Sequence, residues 1–210
     1  MKTVSAHAAG DDARDFQFQH YRSFFPFATL KCVGRPLYRS QEARDYACLL
    51  DLDPTVLSWR SVTRPITNDS GARKPRKHFV DFAVQTESEA LLVDIGRADA
   101  RIITWIAGVA ERQGYRYQAV SLSEFGRGPR LQNAKDLIRY AGCDAPLGDR
   151  IRILAALEEM GTLTLAECLS SVRESKPMPT IVAMILTGIL EIDLDEALLG
   201  PDSIVRRAAK

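Results

Sequence analysis

Cysteine, histidine and long apolar runs are scarce in this chain of 210 residues, and each scarcity removes a class of protein. The four cysteines, Cys32, Cys48, Cys143 and Cys168, are far apart and form no CxxC pair. That spacing argues against a disulfide framework or a zinc site and predicts reduced, mostly packed thiols in a cytoplasmic protein. His7, His20 and His78 do not cluster with them. No apolar stretch reaches the ~20 residues that span a bilayer, so no membrane partner is expected. The N-terminus lacks an apolar signal core, and residues 1–18 read as a flexible tail. A charge excess of one sign is missing too: the formal net charge is +1. Up to residue 146 the chain carries 21 basic and 17 acidic residues, and beyond it 7 and 10, so any attraction for phosphates should lie in the front part.

What remains is the composition of a globular protein, 46% hydrophobic and 26% charged, long enough for a medium domain and a small one. Ser40 is a good N-cap for a helix whose stripe is Ala43, Ala47 and Leu50, stopped near Asp51 by Asp53-Pro54. Val56–Thr67 alternates as a strand before a turn at Asn68-Asp69-Ser70-Gly71. A basic run, Arg73, Lys74, Arg76 and Lys77, follows. Two apolar strands, Phe79–Val84 and Ala90–Ile95, flank a polar turn, and Ala98–Gln113 is a helix ended by Gly114. Tyr117–Leu122 is the next strand and Leu131–Ala141 the next helix, so the strand-helix-strand step implies a parallel crossover in a mixed sheet. After a linker at 142–148 come three short helices, around Ile151–Leu157, Thr164–Val172 and Pro179–Thr187. Two short strands, Ile189–Leu194 and Ile204–Arg207, complete a winged-helix layout. Trp59 and Trp105 are expected in the core.

Each strand of the hairpin is interrupted by one acid, Asp81 and Asp94. A carboxylate inside a buried strand is costly unless a metal or a hydrogen-bond network compensates it. Hard oxygen ligands suit magnesium, which would make Asp81 and Asp94 a candidate metal site; the alternative is two strand positions without a role.

The order of these elements resembles the TnsA-like endonuclease subunits of heteromeric transposases, which carry a restriction-endonuclease-like PD-(D/E)xK domain and a C-terminal winged helix. The resemblance rests on Tyr38–Tyr46, Leu49–Val56, His78–Phe82, Leu92–Gly96, Tyr117–Glu124 and Arg130–Ala134, with the pattern from Arg152 to Arg207. It covers roughly residues 30–207 and implies an α/β fold: a restriction-endonuclease-like mixed sheet flanked by helices over 19–145, then a small winged-helix domain over 146–210. It implies that Asp81 and Asp94 are the catalytic carboxylates and magnesium ligands. The family's helix glutamate falls on Ala43, with Glu42 about 100° away around the helix, and its lysine falls on Gly96. Lys77 and Arg101 could reach inward in place of the lysine; Arg97 would face the other side of its strand, and arginine is a poor proton acceptor.

Two of four site elements are therefore missing. The expectation is a DNA-binding pseudo-nuclease, a regulator, adaptor or assembly factor of transposition type, with Arg73, Lys74, Arg76 and Lys77 on the phosphate backbone. The alternative is an active magnesium-dependent endonuclease subunit working with a transposase and an ATPase regulator. Glu191, Asp193, Asp195 and Glu196 make the wing acidic, a poor DNA reader and a better protein-contact surface. A third reading is therefore a protein-interaction module, and a homo-oligomer is compatible with all three.

Overall fold

The computed structural model describes residues 24–68, 76–96 and 100–209. Helix α1 (Gln41–Leu52) starts where Ser40 Oγ accepts the Ala43 N–H at 3.0 Å, satisfying one of the orphan donors of a helix start. Its stripe of Ala43, Ala47 and Leu50 is buried, as the spacing predicts. Strand β1 (Val56–Ser61) follows, then β2 (Ile66–Asn68) and β3 (Arg76–His78). The single strand expected over Val56–Thr67 is thus two strands in different sheets. Pro65, which has no N–H to give a ladder, lies in the break between them.

Strands β4 (Phe82–Thr86) and β5 (Ala90–Ile95) form the expected hairpin, with Phe82 opposite Val93 and Val84 opposite Leu91. Helix α2 (Ala100–Arg112) then crosses over to β6 (Arg116–Val120), which lies parallel to β5. The sheet order β1-β4-β5-β6 is mixed, and helices cover both faces. Side-chain alternation divides the core. Phe82, Val84, Leu91 and Val93 pack with α1 and Trp59 on one face, whereas Ala83 and Leu92 pack with Ile106, Val109 and Ala110 of α2 on the other. Trp59 is 1% exposed and half-buried Trp105 packs against the second cluster, so both belong to the core as expected.

Short α3 (Leu122–Phe125) and α4 (Arg130–Ile138) close this part. Beyond it stand α5 (Leu147–Met160), β7 (Thr162–Thr164), α6 (Leu165–Ser171), α7 (Pro177–Leu186), β8 (Leu190–Ile192) and β9 (Ile204–Arg207). The three expected helices and two expected strands are present. Thr162–Thr164, just ahead of the second of these helices, form a third strand that the sequence does not announce, and the order is β7-β9-β8. Thr164 ends that strand and caps α6 reciprocally with Glu167. Ile153, Leu157, Cys168, Ile181, Met184 and Val205 make a second core.

The two parts are bolted together by α4. Asn133, 1% exposed, donates to Leu194 O (2.9 Å) and Ala197 O (2.8 Å) and accepts the Leu199 N–H (3.0 Å). Arg130 pairs with Asp195 at 2.6 Å, and Leu186 of α7 packs against Cys48, Ala134 and Ile138. All four cysteines are free, yet Cys143 is exposed, which corrects the expectation of packed thiols there. Burial pushes the Cys48 thiol up to about 11, so it stays protonated and inert. Among the described residues no helix is long and apolar enough to cross a membrane.

Candidate functional site

Asp81 sits one residue ahead of β4 but already belongs to the ladder: its N–H donates to Val93 O at 3.0 Å and its carbonyl accepts the Val62 N–H at 2.9 Å. The paired register begins at Phe82–Val93, and the Asp81 N–H bond to Val93 O is one residue out of it, a local irregularity at the start of β4 that leaves Asp81 beside Asp94, where one guanidinium reaches both. Two-residue alternation from Leu92 places Asp94 on the face covered by α2. The side chains of Asp81 and Asp94 are 4% and 10% exposed. The sequence puts two buried carboxylates side by side, and burial at that depth demands a counter-charge.

Arg39 supplies it from the turn before α1. Its Nε donates to Asp81 Oδ1 at 3.0 Å, and its Nη2 lies 2.9 Å from Asp81 Oδ2 and 3.2 Å from Asp94 Oδ1. The Ile95 N–H donates to Asp81 Oδ2 at 2.8 Å. Asp94 Oδ2 is hydrogen-bonded to His78 Nε2 and accepts the Tyr117 hydroxyl at 3.2 Å. All four carboxylate oxygens are therefore occupied. A guanidinium is planar and always charged, and its fork spans both acids at once.

These contacts set the acids apart electrostatically. Burial pushes the Asp81 carboxyl above its ordinary range, against the lowering pull of Arg39 and the Ile95 N–H. Burial acts the same way on Asp94, but His78, Arg39 and Tyr117 together overcome it and hold that carboxyl below its ordinary range. Burial, and then the neighbouring Asp94 charge, raise the Tyr117 phenol, which stays a donor.

The residues present do not fit a magnesium ion. The lone pairs that would face a metal already accept N–H and O–H donors, and Arg39 brings the positive charge. Among the described residues no set of three His, Cys, Asp or Glu side chains is grouped to hold one. Ala43, the position of the resemblance's glutamate, is fully buried under the opposite face of the sheet among Phe82 and Val93. Glu42 is exposed, pointing away as its helical position predicts. Gly96 has φ +123°, a conformation that side-chain-bearing residues rarely adopt, and its N–H donates to Val120 O. The turn after β5 thus uses the glycine for its backbone, and a lysine there would be strained.

Lys77 is exposed on β3, next to His78, whose ring turns inward. Arg73, Lys74, Arg97 and the side chains of Arg76 and Arg101 lie outside the described residues. Arg130 is engaged by Asp195 of the acidic segment. The sequence reading missed Arg39, His78 and Tyr117 as partners of the acids. Their only signal was the need for compensation itself, because Arg39 lies 42 and 55 residues from the two carboxylates.

With this geometry in hand, what is defined is a mixed α/β protein with a buried acid pair neutralised from within the chain. No family model matches the chain, and no curated protein matches its sequence.

Proposed function

We propose that this is a DNA-binding protein on a nuclease-like scaffold that has given up metal-dependent cleavage, a regulator, adaptor or assembly factor of the transposition type. The observation that carries the reading is Arg39 bonded to both Asp81 and Asp94, because it puts a fixed side-chain cation where a hydrolytic site needs an exchangeable metal. The helix-hairpin-helix-strand order supports a restriction-endonuclease-like division at residues 19–145, and the α-β-α-α-β-β order after 146 supports a winged-helix unit.

The acid pair cannot itself hold a phosphate. Two carboxylates against one guanidinium leave the cluster without the net positive charge that attracts a phosphodiester. Contact with DNA therefore falls to exposed Lys77 and to Arg73, Lys74 and Arg76 of the same basic run in sequence. The C-terminal unit is a poor reader. The last of its three helices, α7, carries no charged residue, and Thr180–Met184 are buried against the rest of the chain. Its acidic segment, Glu191, Asp193, Asp195 and Glu196 at and after β8, suits a protein partner such as a transposase or an ATPase regulator.

Fluorescence anisotropy of a labelled duplex at several salt concentrations tests the reading. Affinity should fall linearly on a log–log plot, with a slope of about −0.9 for each phosphate neutralised, and Lys77→Ala should lower its magnitude by about 1. No binding at low salt without added metal would remove DNA as the ligand and leave the protein-interaction reading.

A further inference from the structure

Helix α5 (Leu147–Met160) is apolar on two sides, and the chain covers only one of them. Ile153 and Leu157 turn into the C-terminal core. On the opposite side, spaced as one helical face, stand Leu147, Ile151 and Ala155, all exposed, with Leu147 at 68% and Ile151 at 59%. Half-buried Leu154 borders this stripe. At about 100° per residue, exposed Glu158 falls on the line of Leu147 and Ile151, and exposed Arg150 flanks it. Arg152, the other cation of the helix, is held by Asp149 and Glu174, whereas Arg150 and Glu158 pair with no described residue.

We propose that this stripe joins two copies of the chain: α5 packs antiparallel on the same helix of a second copy, about a two-fold axis near Leu154. The charge pattern selects that occupant. Arg150 and Glu158 lie four residues to either side of Leu154, so the two-fold sets Arg150 level with the partner's Glu158 and Glu158 level with the partner's Arg150. Parallel packing of the same faces would bring Arg150 beside Arg150 and Glu158 beside Glu158, and like charges repel. Ile151 of each copy then lies against the partner's Leu154 and Ala155, which takes the exposed aliphatic surface out of water. The face is thus its own complement in both charge and polarity. A helix of 14 residues is only ~21 Å long, so the contact falls short of the ~800 Å² per partner of a standard interface. The dimer is therefore weak and depends on concentration. The inference goes beyond DNA binding and does not rest on it.

Sedimentation equilibrium of the full chain at about 1 to 300 μM, which covers dissociation constants from about 1 μM to 1 mM, tests it. Wild type should shift from monomer towards dimer as concentration rises. Ile151→Glu sets a charge in the middle of the contact and should stay monomeric throughout. In dilute solution, where wild type is monomeric too, this variant should melt with wild type, because Ile151 is exposed. Arg150→Glu places two like-charged pairs across the axis and should raise Kd about 5- to 30-fold. Combining it with Glu158→Arg restores opposite charges and should return Kd to within about threefold of wild type. That charge exchange lies wholly on the surface, so it decides the matter even if Ile151→Glu does not fold. Wild type that stays monomeric at the top of the range overturns the inference and leaves the stripe to a different partner. A dimer indifferent to Ile151→Glu, or an Arg150→Glu loss that the double exchange does not recover, overturns it as well. None of these readouts involves DNA, so neither result bears on the Lys77-dependent binding proposed above.

Discussion

Replacing Asn133 tests how firmly the C-terminal unit is held to the sheet-bearing part. The side chain is 1% exposed and makes three hydrogen bonds, at 2.9, 2.8 and 3.0 Å, to the segment between β8 and β9. Asn133→Ala removes all three. Leu194 and Leu199 are half-buried and Ala197 is exposed, so water reaches part of what is lost. The cost should then be about 1–3 kcal/mol rather than three full desolvation penalties. For a chain of this size that corresponds to a fall of roughly 2–10 °C in Tm. Asn133→Asp is the sharper variant because it is isosteric. It keeps the acceptor for the Leu199 N–H but turns a carboxylate oxygen towards Leu194 O and Ala197 O. The field at the start of α4 returns at most about 1 kcal/mol to an acid there. At neutral pH Asn133→Asp should therefore be less stable than Asn133→Ala. Its folded-state pKa would be raised, so the penalty is present above that pKa and is relieved as pH falls and the acid regains a proton to donate. Urea melts at pH 7 and pH 4 measure both. An Asp variant as stable as wild type at pH 7 would refute the bonding scheme.

Two more outcomes follow from individual residues. Gly96→Lys, which fills the position the nuclease resemblance leaves empty, should destabilise the protein by about 1–2 kcal/mol because of the +123° φ, and should produce no cleavage, as read by urea melts and a plasmid assay. Asp149 is fully buried by surface area; burial pushes its carboxyl up, but the Arg173 and Glu174 N–H groups, Ser175 and Arg152 outweigh this and hold it below the ordinary range. A lowered carboxyl contributes stability above its unfolded pKa, and that contribution is lost as pH falls through the folded one. Stability measured below about pH 4 should therefore drop less steeply in Asp149→Asn than in wild type.

Periodicity carried most of the architecture. The stripes of α1 and α2 and the alternation through β4 and β5 were legible because each element buries one face, and the strand-helix-strand spacing implied the parallel step onto β6. The break between β1 and β2 was not, since residues 62–65 keep an alternating look while Pro65 and the pairing with β3 pull the chain into another sheet. Strand β7 was hidden because three residues carry almost no periodic signal.

The site divided the same way. Two acids interrupting apolar strands are visible in a sequence, and the hairpin brings them within reach of one guanidinium. The ion that neutralises them is not visible, because Arg39 comes from irregular chain before α1 and meets them only in the folded state. The losses at Ala43 and Gly96 were noted from the sequence, but the backbone reason at Gly96 and the opposite-face burial of Ala43 needed coordinates.

The central claim is that Arg39 has replaced the metal, so the acid pair does not cut. Nicking of supercoiled plasmid by the purified protein in magnesium and in manganese tests it most directly. The account predicts no nicking above the EDTA control in either metal. Metal-dependent nicking that disappears in Asp81→Ala would contradict it.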